Sequence, residues 1–265
     1  MALAYPSFRT VEPLSPYLPE NLRQGLVLYL WMNEGAGNTV YDLSGNGNHG
    51  TIYGATWTRL ASGKNALSFD GVNQYAVVGL QPDGSGKPFT VYGWSEITIE
   101  ELIYLVWPKA NAVYSKTGMI GDQWVDRVAT YYQTENRQDY TWMIVEAQTK
   151  RADGTTGWYS ASVYAYRNSW AHVVRRFTSS RELSYWVNGN RVARWTIPST
   201  ERTILEWNPD TATYPERYRR FVLGANVIFT EHMTVRYGYV RIYNRALSDA
   251  EIRTLYDLHR GLFAG

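Results

Sequence analysis

The sequence predicts an all-β fold: a two-sheet antiparallel jelly-roll sandwich with one short C-terminal helix. Three observations carry this. Aromatic residues make up 15% of the 265 residues, with 22 Tyr and 11 Trp, and such rings suit the pleated, half-buried surface of a strand. Short runs rich in β-branched and aromatic residues follow one another from residue 25 onward, punctuated by Gly, Asn, Asp and Pro. No helical pattern separates these runs, so they pair antiparallel and pack as two sheets. At 265 residues and 45% hydrophobic content, one sandwich can bury a sizeable core.

The first segment, 1–24, stands outside that pattern. Pro6, Pro13, Pro16 and Pro19 lie among leucines and aromatics. Proline fixes φ and donates no hydrogen bond, so the segment reads as an extended arm rather than a sheet strand. Tyr5, Phe8, Leu14, Tyr17 and Leu18 give it apolar anchors. An arm without a core of its own is expected to lie along a surface, either its own sandwich or, preferably, a neighbouring subunit. The segment has neither the basic start nor the apolar run of a signal peptide. No window reaches the roughly 18 apolar residues of a membrane helix.

The sandwich domain is expected over 25–265. Its strands read as LVLYLW (26–31), ALSF (66–69), QYAVVGL (74–80), EITIEELIYLVW (96–107), RVATYYQ (127–133), YTWMIVEA (140–147), WYSASVYAY (158–166), WAHVVRRF (170–177), ELSYWVN (182–188), RVARWTI (191–197), RRFVLGA (219–225) and VRYGYVRIY (235–243). Asn188-Gly189 tolerates the positive φ of a primed hairpin turn. LSDAEIRTLYDLH (247–259) carries the one helix signature: Ser248 caps, Glu251 reaches back, and Leu247 and Ile252 form a staple. Ile252, Leu255, Tyr256 and Leu258 make its apolar stripe and Gly261 its stop. The helix is expected to cover one face or end of the sandwich.

Four segments, in order, resemble the laminin-G-like domains of the concanavalin A-like lectin/glucanase superfamily. They are LVLYLWMNEGAGNTVYDLSGNGNHGTIYGATW (26–57), ALSFDGVNQYAVV (66–78), SWAHVVRRFTSSRELSYWVNGNRVA (169–193) and VRIYNRALSDAEIRTLY (240–256). The arm lies outside the resemblance, and residues 108–160 follow it loosely. In that family the Gly-rich stretch DLSGNGNHGTIYGATW (42–57) is a turn at the start of the sandwich. No helix pattern follows it and no Lys-Ser/Thr pair ends it, so a phosphate cradle has no support. Its Asp42 and His49 are expected to be satisfied by local amides.

Family resemblance spans sugar hydrolases and non-catalytic binders, so chemistry must be argued from residues. Laminarinase-type members carry two carboxylates on one strand face for glycosidic cleavage. Here Glu100 and Glu101 are adjacent, and adjacent strand residues point to opposite faces. A glycoside hydrolase is therefore the least supported reading, and no catalytic residue is assigned. His49, His172, His232 and His259 show no paired metal spacing. Relatives hold calcium with an aspartate in the closing strand. Gly238 stands at that place, which leaves only a weak site from Asp42, Asp70 and backbone carbonyls, since calcium favours carboxylates. No metal or cofactor is expected.

A binding face is easier to argue. Trp158, Tyr164 and Tyr166 alternate with small aliphatic residues in one strand, and Tyr140, Trp142 and Glu146 share a face of its neighbour. Rings beside hydroxyls and carboxylates suit sugars, a protein interface, or plain core packing. A net charge of +2 implies no nucleic-acid partner. The absence of Cys removes disulfide, thiolate and cysteine-bound zinc chemistry. The functional expectation is a non-catalytic structural or adhesion subunit of a larger assembly such as a virion, fibre or surface layer. Its partners would be other subunits. The alternative is a lectin-like module binding cell-surface glycans.

Overall fold

The computed structural model describes residues 17–106, 115–121, 127–133, 140–166 and 168–262. Among them, two eight-stranded antiparallel sheets face each other. The first sheet contains β1 (Leu26–Leu30), β4 (Thr56–Arg59), β5 (Asn65–Asp70), β7 (Ile97–Leu105), β12 (Trp170–Phe177), β13 (Glu182–Val187), β14 (Asn190–Thr196) and β16 (Thr234–Tyr243). The second contains β2 (Thr39–Val40), β3 (Gly50–Tyr53), β6 (Tyr75–Gly79), β8 (Ser115–Gly121), β9 (Arg127–Gln133), β10 (Tyr140–Lys150), β11 (Thr156–Tyr166) and β15 (Arg220–Leu223). The first sheet is centred on the β12–β7–β16 run, and β1 pairs with the far half of β16.

The main core lies between the sheets. Leu28, Leu67, Phe69, Ile99 and Ile103 of the first sheet meet Val78, Met143, Val145 and Phe221 of the second. Alternation explains which residues enter it: successive strand side chains point to opposite faces. The outer face of the first sheet carries a second core, built from Tyr29, Trp31, Leu102, Val174, Trp186, Tyr239 and Tyr243. The helix α1 (Asp249–His259) closes it with Ile252 and Leu255.

Each segment read as a strand contains a strand, and the reading missed four more. The Gly-rich segment 42–57 is more than a turn: it contains β3 and the start of β4. Gly45 and Gly47 make the left-handed bends before it, at φ 92° and 70°. Asp42 accepts from the Tyr29, Ser44 and Asn48 amides, and His49 Nδ1 accepts from the Asp42 amide at 2.9 Å. The β13–β14 turn has the expected left-handed pair, Asn188 at φ 50° and Gly189 at 75°.

The capping box of α1 is present, with Ser248 and Glu251 exchanging bonds. Its end departs from expectation. The C-cap Arg260 stays right-handed at φ −56° and the chain continues into a 3₁₀ turn, Arg260–Leu262, so Gly261 is no left-handed stop. Leu258 is 42% exposed, whereas His259 is buried. At about 100° per residue, position 259 returns to the stripe of 252 and 255 and position 258 does not.

The described end of the arm is not extended throughout. Glu20–Leu22 forms a 3₁₀ turn, and Leu18 and Leu22 are buried in their own domain's second core. Arg245 donates to the Gln24 and Asn21 carbonyls and pairs with Glu251, tying the segment to α1. Tyr17 is exposed. Tyr5, Phe8 and Leu14 lie outside the described residues.

Candidate functional site

The β10–β11 register sorts the expected binding face. Tyr140 pairs with Tyr166, Trp142 with Tyr164, Glu146 with Ser160 and Gln148 with Trp158. Opposite residues in an antiparallel pair share a face, so the five aromatic positions occupy one side. On the other side Met143, Val145, Ala147 and Ala161 belong to the main core, as the small-residue alternation implied. Trp158 is 59% exposed, and Ser160 and Ser162 are exposed beside it. The side chains of Tyr140, Trp142, Tyr164 and Tyr166 lie outside the described residues. Glu146, expected as the polar part of this face, is fully buried and accepts from Gln148 Nε2 at 3.2 Å. The exposed part of the face therefore belongs to β11.

Glu100 and Glu101 lie on opposite faces of β7, as alternation requires. Glu101 enters the main core, where Arg175 Nη2 donates to it at 2.5 Å and the Tyr237 hydroxyl at 3.3 Å. Arg175 also reaches the Gly118 carbonyl across the sandwich at 3.1 Å. Glu100 enters the second core. Arg241 Nη1 spans both its oxygens at 3.0 and 3.1 Å, the Tyr239 hydroxyl donates at 3.1 Å, and His172 Nε2 sits at 3.0 Å. Burial opposes ionisation of Glu100, but the Arg241 charge and the His172 bond outweigh it and hold the carboxyl down at about 2. Both carboxylates are fully buried. Neither is placed to attack or protonate a substrate.

Arg241 extends this network to the helix. Its Nη2 donates to the Tyr29 hydroxyl at 2.9 Å and to His259 Nε2 at 3.1 Å, and the guanidinium lies 4.4 and 4.3 Å from the Tyr29 and Tyr239 ring centres. Because Arg only donates, His259 Nε2 accepts, and its Nδ1–H donates to the Leu255 carbonyl at 3.1 Å. Burial, with Arg241 beside it, pushes the imidazole down to about 3.

The Gly238 position, where the resembled family carries a calcium aspartate, has its own cation. Gly238 sits in a β-bulge between Tyr237 and Tyr239. The fully buried Lys64 ammonium donates to the carbonyls of Gly238, Trp31 and Asn65 at 2.7, 2.8 and 2.9 Å and lies 4.5 Å from the Trp31 ring centre. A fourth carbonyl, that of Met32, lies at 3.4 Å. Burial pushes Lys64 down to about 7. The Asp42 carboxylate accepts from the amides of Tyr29 in β1 and of Asn48, and that of Asp70 from the Val72 amide. No group of three His, Cys, Asp or Glu suited to a metal occurs among the described residues.

The His259 arrangement fixes an acid dependence. The unfolded imidazole takes up its proton near 6.5 and the folded one near 3. Unfolding between those values binds a proton, so stability falls as pH drops, by up to about 1.4 kcal/mol per pH unit. Glu100, ordinarily near 4.5 and here near 2, adds a loss of the same sign below about 4.5. Urea unfolding between pH 6.5 and 4.5 is expected to show this slope in the wild type and a flatter one in His259→Asn. Equal slopes would place the titration elsewhere.

No protein-family profile matches the sequence, and no curated protein matches it. Solved structures do. The binding domain of Paraclostridial Mosquitocidal Protein 1 superposes with a TM-score of 0.59 at 16% identity, over 89% of this chain and 52% of that one. The botulinum neurotoxin serotype D ligand binding domain in complex with N-acetylneuraminic acid gives 0.58 at 13%, over 89% and 51%. The binding domain of botulinum neurotoxin DC in complex with rat synaptotagmin II gives 0.60 at 13%, over 91% and 52%. The chain thus spans about half the length of these structures. At such identity the likeness shows a shared β-sandwich fold.

Proposed function

We propose that this is a laminin-G-like, non-catalytic recognition module that binds carbohydrate on a cell or particle surface through the outer face of β11. The observation that carries the reading is Trp158, a large ring 59% exposed in a row with exposed Ser160 and Ser162. Aromatic faces stack on the apolar faces of sugar rings while hydroxyls meet their polar rims. Two further facts support it. Both strand carboxylates are consumed by buried arginine pairs, and the similar structures are binding domains, one of them holding N-acetylneuraminic acid. Trp158→Ala is expected to abolish glycan-array binding and to shift the melting temperature by no more than a degree or two, as an exposed side chain should. A loss of several kcal/mol, the cost of an excavated core aromatic, would place Trp158 in the core and remove the site.

A second reading, a structural or adhesion subunit of a virion, fibre or surface layer, has its own support. A groove of about 460 Å³ lined by Tyr17, Leu18, Leu26, Tyr29 and Leu43 opens where the arm meets β1, with Tyr17 and Leu43 63% and 47% exposed. Leu18 and Leu22 are intramolecular anchors, so the informative truncation removes residues 2–16 only. On this reading the truncated protein keeps its melting temperature and loses a higher-order species seen by light scattering. Identical molar masses with and without residues 2–16 would leave the recognition reading alone.

A further inference from the structure

A second cavity lies at the seam between α1 and the first sheet, away from the β11 face. Its volume is about 250 Å³ and its lining includes Leu102, Trp170, His172, Tyr239, Tyr256 and His259, with Arg260 also contributing. Ligand pockets for drug-sized molecules run from roughly 300 to 1,000 Å³, so this one suits a single ring. It is also built. The Gly189 turn presses on Tyr256, where a Cβ would come within 2.8 Å of the ring, and Asn188 Oδ1 accepts from the His172 amide at 2.9 Å. The hairpin thus sets both walls.

Besides the polar groups of Ser169, Asn188 and Arg260, the lining holds one buried side-chain atom without a hydrogen-bond partner. His259 spends one nitrogen on Arg241 and the other on Leu255, and the Tyr239 hydroxyl is given to Glu100. His172 is 1% exposed, its Nε2 faces Glu100, and its Nδ1 has no hydrogen-bond partner. Glu100 is ionised and only accepts, so Nε2 carries the hydrogen, and in the neutral ring Nδ1 is an acceptor. A buried acceptor without a donor is costly to leave unmet. Its complement is an O–H or N–H group. Around it Trp170, Tyr256 and Leu102 supply apolar surface, as the flat face of a sugar requires.

Charge narrows the ligand further. Behind His172 the Glu100 carboxylate and the Arg241 guanidinium cancel, and His259 is neutral as a hydrogen-bond acceptor. At the cavity's edge Arg260 is paired with Asp257 at 3.4 Å, so its charge is already met, and a single imidazole makes no cation site.

We infer that the α1–sheet cavity is a binding site for one neutral polyhydroxylated ring, a monosaccharide or cyclic polyol, with a ligand hydroxyl donating to His172 Nδ1 and the ring lying between Trp170 and Tyr256. The site is separate from the Trp158 face and stands or falls without it.

The test uses the full chain and a panel of neutral rings: glucose, galactose, mannose, N-acetylglucosamine and myo-inositol. Tryptophan fluorescence reads affinity and nitrogen-15 NMR of the histidines reads the contact. At least one ring is expected to bind saturably and to move the His172 Nδ1 resonance. His172→Phe should weaken it at least tenfold and Trp158→Ala should leave it unchanged. Since His172→Phe also removes a bond to Glu100, Tyr256→Ala serves as the second variant: it opens the cavity wall by removing a ring 5.7 Å from that of His172, leaves every hydrogen bond of the ion network in place, and should weaken binding similarly. Absence of saturable binding by the whole panel overturns the inference. So does affinity that survives Tyr256→Ala, or that disappears with Trp158→Ala, which would assign the ring to the β11 face.

Discussion

The buried pair between Glu100 and Arg241 is the constraint on which the rest of the first sheet's outer face depends. A charge taken out of water is costly, and a buried pair recovers that cost only with close geometry and satisfied neighbours. Here Arg241 bridges the carboxylate and also holds Tyr29 and His259. It therefore links β16 to β7, to β1 and to the end of α1. At the other end of the helix Arg176 of β12 donates to Asp249 and to the Leu247 carbonyl at 2.7 and 2.8 Å, and between the two ties Ile252 and Leu255 pack into the second core. Orientation of the helix comes from the polar network; its attachment comes from burial.

The same constraint bears on the glycoside-hydrolase reading that the family resemblance raised. A glycosidase needs two accessible carboxylates facing one bond. In this protein the two adjacent glutamates are divided between two cores by strand alternation, and each is matched to an arginine. Lys64 completes the picture: a protein cation sits against the Gly238 bulge carbonyl, beside the position where the resembled family places a metal ligand. These buried charges serve architecture.

Legibility in the sequence followed the range of the physics. Local rules worked: the Asn188-Gly189 turn and the Ser248–Glu251 capping box appear as read, because each is set by residues within one turn of chain. Alternation also worked, assigning Ala161 inward and Trp158 outward. What failed needed partners far away in sequence. SKTGMIG (β8) has two glycines and no strand pattern of its own, and it is a strand because β9 and β15 pair with it. The inward turn of His259 and the burial of Lys64 depend on Arg241 and Gly238, 18 and 174 residues distant. Glu146 looked like a surface carboxylate because its strand alternates, and is buried because the outer face of β10 is covered.

The central claim is that Glu100 and Arg241 act as one structural unit, and a double-mutant cycle on unfolding free energy tests it most directly. Arg241→Met alone leaves a buried carboxylate uncompensated and Glu100→Gln alone leaves a buried guanidinium so; each is predicted to cost about 3–5 kcal/mol. The double variant removes both charges, and its cost is predicted to fall well below the sum of the two. Single-variant costs that simply add, each within about 0.5 kcal/mol of wild type, would contradict the account.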